Sequence, residues 1–275
     1  NKYKSRQHLI LLLALDVTTD KATLEYLAQQ IESFFFFSNT MGIQAKNNEG
    51  LFAKWAKELR GKKSIDEVKE IVSTTLMPYI AAKVPQFKSD FLNITHGAYN
   101  PLYRLRYILG KMENTVLAKA GLPVKGNDFF YDLQIEHILP QTPKNDFIPE
   151  EFVDKDEYYG MVYKLGNVLL LESTINQAVN NFNDLSNDWF EKKQGEYTKS
   201  DVVTSNLMNH DYSIGKNTAI NKFKADYGYS FDSWGKEKIK DRQKVLMELA
   251  FESWKFNGSR IDKIEVAENI ETEAE

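Results

Sequence analysis

The chain has 275 residues, which is enough for about one or two domains. Hydrophobic residues make up 42% of it and charged residues 27%, a composition typical of folded globular proteins rather than disordered or fibrous ones. Cysteine is absent, which excludes disulfide frameworks, cysteine nucleophiles and zinc sites built on thiolates. The formal net charge is −4, but residues 261–275 alone carry six acidic side chains and one basic one. The rest of the chain is close to neutral and can still present basic patches to nucleic acid.

The first part of the chain predicts helices. Between about residues 5 and 122, apolar side chains recur three and four positions apart, the spacing that puts them on one face of a helix. Ser64 followed by Glu67 predicts a capping box at the start of one of these helices. Pro78 should kink or end that helix, because proline has no backbone N–H to donate.

Two more helices have recognisable ends. Asn100 followed by Pro101 predicts a helix start, and Gly121 predicts the stop of the same helix. A last long helix is predicted from about 232 to 256.

The helical period lapses in the middle of the chain. Two short β-like runs, 131–135 and 168–171, bracket a loop rich in proline, lysine and aspartate, and helical spacing resumes at Ser173. We therefore predict a mainly α protein with an inserted small ββα module. The predicted parts are a helical domain (1–125), the module (126–200), C-terminal helices that pack on the module (201–260) and a disordered acidic tail (261–275).

Histidine is scarce in this chain, so imidazole chemistry has few candidates. His137 stands out, because it lies in the sequence IEHILPQ, directly after a predicted strand and next to Glu136. We expect His8, His96 and His210 to be ordinary surface or hydrogen-bonded histidines, since no pattern surrounds them.

The order of residues around His137 favours phosphodiester hydrolysis with one metal ion. His137 at a strand end can take a proton from water as a general base. Asn167 can hold the loop in place through hydrogen bonds to the backbone. Glu136 and Asn176 offer the oxygen ligands that a hard divalent cation prefers. These residues occur in the order strand, histidine, loop, asparagine, strand, helix, asparagine.

The segments EHILPQ, LGNVLLLE, Asn176 and EKKQGEYTKS together resemble a known family. They are similar to the HNH (ββα-metal) nuclease domain at the C-terminal end of GmrSD-type modification-dependent restriction proteins. The helical run 1–122 resembles the region that precedes this domain, and 231–254 resembles its closing helix.

The resemblance implies roles for individual residues. His137 would be the general base, Asn167 the middle, structural asparagine, and Glu136 and Asn176 the ligands of Mg²⁺ or Mn²⁺. Glu136 stands where related nucleases more often have aspartate. Asn180, Asn181 and Asn187 compete with Asn176 for the last position of the motif. Lys192 matches the lysine of the family's Asn…Lys helix run, and we expect Lys192 and Lys193 to contact nucleic acid.

The resemblance also implies a biological setting. The substrate would be DNA, in particular modified phage DNA, and the protein would act in the cytoplasm without a membrane partner. The ParB-like NTPase domain that senses the modification in the family has no counterpart here, so the chain is expected to be a piece of a larger protein. One module has one active centre, so cutting both strands would require a homodimer or repeated action. Two alternatives stay open: a helical DNA-binding or assembly module with an inactive HNH relic, and a nuclease that acts on RNA.

Overall fold

The computed structural model describes residues 6–186, 188–212 and 218–264. Within these ranges the chain is mainly helical and contains a two-stranded sheet, so the mainly α fold class is confirmed. Asn187 and most of the predicted acidic tail, residues 265–275, lie outside the described residues. The described start of that tail includes a short 3-10 helix, Ile261–Lys263.

The described residues divide into two compact units. One comprises residues 6–91 together with 254–264, and the other comprises the described residues between 92 and 253. The boundary expected at 125/126 does not coincide with this division. The reason is that the helix Leu102–Lys119 packs against the helix Lys236–Ser253 and the strand Val168–Leu171, both within the second unit.

The described residues of the first unit form helices α1 (His8–Leu12), α2 (Lys21–Thr40), α3 (Ala45–Leu59), α4 (Ile65–Thr74), α5 (Leu76–Ala81) and α6 (Val84–Asn93), the last of which runs two residues into the second unit. The core of this unit is rich in aromatic rings, and Phe36 stacks on Trp254 with ring centroids 3.6 Å apart. The capping box of Ser64 and Glu67 at the start of α4 is confirmed. Pro78 lies in α5, after a break at Thr75 that ends α4.

The described residues of the second unit form helices α7 (Leu102–Lys119), α8 (Asn127–Asp132), α9 (Lys155–Val162), α10 (Ser173–Val179), α11 (Trp189–Tyr197), α12 (Val203–Asn206), α13 (Thr218–Asp226) and α14 (Lys236–Ser253). Pro101 directly precedes α7, and Gly121 follows its end with a φ of +67°, so both signals for this helix are confirmed. The last long helix is shorter at both ends than the predicted 232–256.

The two strands of the second unit are β1 (Gln134–His137) and β2 (Val168–Leu171). They are antiparallel, with Gln134 opposite Leu171 and His137 opposite Val168. The position of β2 is as predicted, whereas the predicted strand 131–135 begins too early. Residues 131 and 132 belong to α8, where Phe130 packs its ring against the backbone of Gly110 in α7.

This arrangement places a strand end, a turn and a helix start close together. The chain leaves β1 at His137, returns through α9 and a 3-10 turn (Leu165–Asn167), and runs through β2 into α10. All four residues of β2 are buried, because the strand lies beneath α7 and α12. The polar groups of β1 and the turn are therefore held on a packed apolar layer.

No helix among the described residues is both long enough and apolar enough to cross a membrane.

The contact between Gly110 and Phe130 gives a test of the packing. A Cβ added at Gly110 would lie 2.5 Å from the Phe130 ring, so we expect Gly110→Ala to lower the free energy of unfolding by about 1–3 kcal/mol. Gly160 in α9 is the matched control, since a Cβ there meets no atom within 4 Å and alanine should stabilise the helix by up to about 1 kcal/mol. Urea unfolding of both variants measures the difference. Equal stability of Gly110→Ala and wild type would contradict this packing.

Candidate active site

Glu136 lies in a buried ion pair at the end of β1. Its Oε1 atom is 2.7 Å from Nζ of Lys193, and the Tyr197 hydroxyl donates to the same oxygen at 3.3 Å. Lys193 is fully buried and also donates to the backbone carbonyls of His137 and Ile138, at 3.3 and 3.0 Å. Burial lowers the pKa of Lys193, and the Glu136 carboxylate only partly offsets this effect. One ammonium group from α11 thus holds both the carboxylate and the backbone at the strand end.

This burial rules out the surface contact with nucleic acid that the sequence predicted for Lys193. A side chain with no exposed area cannot reach a phosphate at the surface. Lys192, the preceding residue, is exposed, so the predicted contact with nucleic acid stays a prediction for this lysine alone.

His137 lies beside a second histidine that the sequence did not single out. The Nε2 atoms of His137 and His96 are 3.1 Å apart, and their rings meet edge to face. The pKa of His137 is lowered to about 3, mainly by burial and in addition by repulsion from a protonated His96 and from the Lys193 ammonium group. Burial lowers the pKa of His96 as well. Both rings are therefore neutral at pH 7.

Asn167 bonds the backbone on both sides of the loop. Its Oδ1 atom accepts from the backbone N–H of Leu139 at 2.8 Å and from Nε1–H of Trp234 at 2.9 Å. Its Nδ2 atom donates to the carbonyls of Leu139 and Val162, both at 2.9 Å. The side chain is fully buried, and each of its polar atoms makes two hydrogen bonds. Asn167 thereby fixes the backbone two residues after His137.

Helix α14 holds the turn that carries Asn167. Arg242 donates to the carbonyls of Gly166 and Val168 at 2.7 and 2.8 Å, and Gln243 accepts from the backbone N–H of Gly166. A Cβ at Gly166 would overlap the carbonyl oxygen of Ile239, so the close approach of helix and turn requires glycine here.

Asn176 lies on the same face of β1 as Glu136. Its Nδ2 atom donates to Oε1 of Gln134 at 2.9 Å, and residues 134 and 136 point to the same side of a strand. The Oδ1 atom of Asn176 is buried and has no hydrogen-bond partner among the described residues. Such an acceptor is costly to bury unless another group binds it. The competing residues Asn180 and Asn181 are exposed.

The structure thus places Glu136 and His137 at the end of β1, on opposite faces of the strand, and Asn167 in the turn before β2, and it places Asn176 on the Glu136 side. His96 and the buried position of Lys193 were missed. The only sequence signal for His96 was the scarcity of histidine in this chain, because the residues around it form no motif. A sequence also cannot tell which of two adjacent lysines faces inward in a short helix.

Comparison with known families identifies the region that contains these residues. A family model described as GmrSD restriction endonucleases, C-terminal domain, matches residues 82–249. The matched range exceeds half of the 275 residues and includes β1, the Asn167 turn, α10 and most of α14. No curated protein matches the chain.

The buried ion pair predicts a large effect of a single substitution. Lys193→Met leaves the Glu136 carboxylate buried without its cation, so we expect the free energy of unfolding to fall by about 3 kcal/mol or more. The double variant Glu136→Gln/Lys193→Met leaves no unpaired buried charge. Its free energy of unfolding should therefore fall by less than the sum of the decreases in the single variants Glu136→Gln and Lys193→Met.

The control for this experiment is Lys199→Met. Lys199 lies just past the end of α11, and its Nζ atom is 2.6 Å from Oε1 of Glu196, but its side chain is 61% exposed. Its removal should therefore lower the free energy of unfolding by less than about 1 kcal/mol. Denaturant unfolding of the four variants gives the comparison. If Lys193→Met costs no more than Lys199→Met, the buried pair does not hold the strand end.

Proposed function

Because the chain belongs to the family of the C-terminal domain of GmrSD restriction endonucleases, we propose that it is a metal-dependent DNA endonuclease or nickase of the HNH type. Its place would be a modification-dependent, type IV-like restriction system that acts against phage DNA. One observation carries this proposal. Glu136 and a neutral His137 are neighbours at the end of β1, which pairs with β2, and Asn176 in the helix after β2 bonds Gln134 of β1.

His137 is the proposed general base. A neutral imidazole has a free electron pair, and the low pKa of His137 keeps the ring neutral at physiological pH. In the proposed step, water gives a proton to His137, the water oxygen forms a bond to phosphorus, the bond from phosphorus to O3′ breaks, and O3′ takes up a proton from solvent. The products carry 5′-phosphate and 3′-hydroxyl ends.

Glu136 and Asn176 are the proposed ligands of Mg²⁺ or Mn²⁺. The donor types fit, since Oδ1 of Asn176 is a buried acceptor without a partner in the described protein. Lys193 and Tyr197 both donate to Oε1 of Glu136, and neither of these contacts uses Oε2. When bound, the cation would neutralise charge that develops on the phosphate and the leaving oxygen.

Asn167 is proposed to support the reaction without touching the substrate. Its hydrogen bonds fix Leu139 and thereby the backbone that follows His137. A base that is held in one orientation needs no reorganisation when the substrate binds. This is the role of the middle asparagine that the family resemblance implies.

One observation favours the alternative of an inactive relic. Lys193 already neutralises Glu136, and no group of three or more His, Cys, Asp or Glu side chains within the described residues could hold a metal. A relic would bind DNA without needing a cation, so the two candidates differ in an experiment.

The proposed nuclease is tested by conversion of supercoiled plasmid. With Mg²⁺ or Mn²⁺ we expect nicking that EDTA abolishes and that His137→Ala reduces by about 100-fold or more, since general bases contribute rates of that order. The control is His210→Ala, because the His210 side chain pairs with the neighbouring Asp211 at 3.1 Å. Sealing of the nicks by DNA ligase checks the proposed ends. Cleavage that survives in purified His137→Ala would contradict the assignment, and RNA that competes better than DNA would favour the RNA alternative.

Metal binding is tested separately from cleavage. If Asn176 is a ligand, millimolar Mn²⁺ should raise the Tm of wild type, because a ligand that binds only the folded state stabilises it. Asn176→Ala should lose this increase and Asn180→Ala should keep it, since Asn180 is exposed and bonds Asn183. Retention of the increase by Asn176→Ala would contradict the ligand assignment, and absence of an increase in wild type would favour the relic.

A further inference from the structure

We propose that the ring of Tyr163 is a stacking platform for an unpaired base of the DNA substrate, close to the proposed general base His137. This inference deepens the proposed function and rests on it for the cleavage step, whereas binding of the base can be measured without cleavage. Tyr163 directly follows α9 and is 40% exposed.

Ring contacts connect Tyr163 with the proposed general base. The ring centroids of His137 and His96 are 4.8 Å apart, and those of His96 and Tyr163 are 5.7 Å apart. On its α9 side, Tyr163 stacks on Tyr159 with an angle of 24° between the ring planes. The rings of Tyr163 and His137 are therefore no further apart than the sum of the first two distances. Successive bases of one strand are about 3.4 Å apart, so Tyr163 reaches a base within about three nucleotides of the cleaved phosphate.

The backbone of Tyr163 is fixed by the residues that fix the loop after β1. Its carbonyl accepts from the N–H of His96 at 2.9 Å, and the preceding carbonyl accepts from Nδ2 of Asn167 at 2.9 Å. In α9, the Tyr158 hydroxyl donates to the carbonyl of Pro140 in this loop at 2.7 Å. The platform and the proposed general base therefore belong to one hydrogen-bonded unit, which lowers the cost of ordering the ring when a base binds.

An exposed aromatic ring selects the form of DNA that can bind. Every base has a flat π face that can stack on a tyrosine, whatever the sequence. In a duplex these faces are covered by the neighbouring bases, so only a base that is unpaired or turned out of the stack can reach the ring. The platform therefore favours DNA with unpaired nucleotides. Supercoiled plasmid offers such positions more readily than relaxed DNA, because negative supercoiling helps to open the duplex.

The residue after Tyr163 carries a positive charge that no carboxylate among the described residues pairs with. Nζ of Lys164 donates to the carbonyl of Leu92 at 3.3 Å and to Oδ1 of Asn93 at 3.5 Å, and both acceptors are uncharged. Burial lowers the pKa of Lys164, and repulsion by Lys240 lowers it further. A phosphate would stabilise the charged ammonium group. Lys164 thus suits the backbone of a nucleotide whose base stacks on Tyr163.

The base contact is tested by the binding of two single-stranded probes in EDTA, which prevents metal-dependent cleavage. One probe is a short fluorescein-labelled oligo(dT), and the other has the same phosphates and sugars without bases. We expect the wild type to bind oligo(dT) more tightly than the abasic probe. Tyr163→Ala should raise the Kd for oligo(dT) by about fivefold or more, the usual effect of removing one stacked aromatic side chain, and leave the Kd for the abasic probe unchanged.

Conservative variants distinguish the ring from the rest of the side chain. Tyr163→Phe keeps the ring and should bind both probes as the wild type does, whereas a loss equal to that of Tyr163→Ala would assign the effect to the hydroxyl and overturn the stacking. Thermal unfolding identifies any loss of fold. Tyr163→Leu, which keeps an apolar side chain without a π face, provides the test if Tyr163→Ala fails to fold.

Two further variants serve as controls for the position and the charge. Tyr227→Ala removes a half-buried tyrosine from a groove lined by three carboxylates and one lysine, and it should change neither Kd. Lys164→Met should weaken the binding of both probes to the same extent and reduce the slope of log Kd against log salt concentration by about 1, because it removes a phosphate contact. An unchanged slope would overturn the contact with Lys164.

The outcomes separate this inference from the proposed function. Equal binding of the two probes by the wild type, or an unchanged Kd for oligo(dT) in Tyr163→Ala, overturns the platform even if the protein nicks plasmid. Base-dependent binding that is lost in Tyr163→Ala supports the platform, and if the same wild-type protein never nicks DNA, this result counts against the nuclease alone.

Discussion

The candidate site depends on one buried carboxamide. Asn167 makes four hydrogen bonds, two through each polar atom, and none of them goes to solvent. They join the loop after β1, the end of α9 and the Trp234 ring, which are distant in sequence. A two-stranded ribbon is marginally stable alone in water, so the position of β1 has to come from contacts outside the sheet. Asn167 supplies these contacts at the strand end where the candidate catalytic residues lie.

The turn that carries Asn167 is itself built around a buried cation. Arg242 is 2% exposed, and its guanidinium bonds two backbone carbonyls and the Tyr229 hydroxyl. Burial raises the pKa of Tyr229, which keeps that hydroxyl neutral at physiological pH. Several hydrogen bonds to one guanidinium offset part of its desolvation cost and fix three groups at once. The helix–turn contact is close because Gly166 has no side chain. The geometry of the site is therefore set from α14, 74 to 77 residues later in the chain.

The sequence predicted those parts of the site that are local. The strand β2, the pair Glu136 and His137, and the bonding of Asn167 to the backbone follow from residues within one short pattern. The start of β1 was misplaced, because residues 131 and 132 alternate like a strand but are drawn into α8 by the packing of Phe130. His96 and Lys193 were missed for another reason. They meet His137 and Glu136 from 41 and 57 residues away, and only the tertiary fold determines which side chains arrive there.

Lys193 links the stability of the strand end to its chemistry. Its ammonium group balances the Glu136 carboxylate and bonds the carbonyl of His137, and its charge also contributes to the low pKa of the His137 ring. At short range in a protein interior these electrostatic effects are stronger than in water. A cation bound by Glu136 would lie in the same field and be repelled by Lys193, so its binding has to draw on further oxygen donors. Oδ1 of Asn176, buried and without a partner in the described protein, is the donor that the fold holds on this side of β1. In the proposed nuclease, the balance between the ammonium group and a second cation at Glu136 would therefore decide whether this strand end takes part in catalysis or acts only as a structural element.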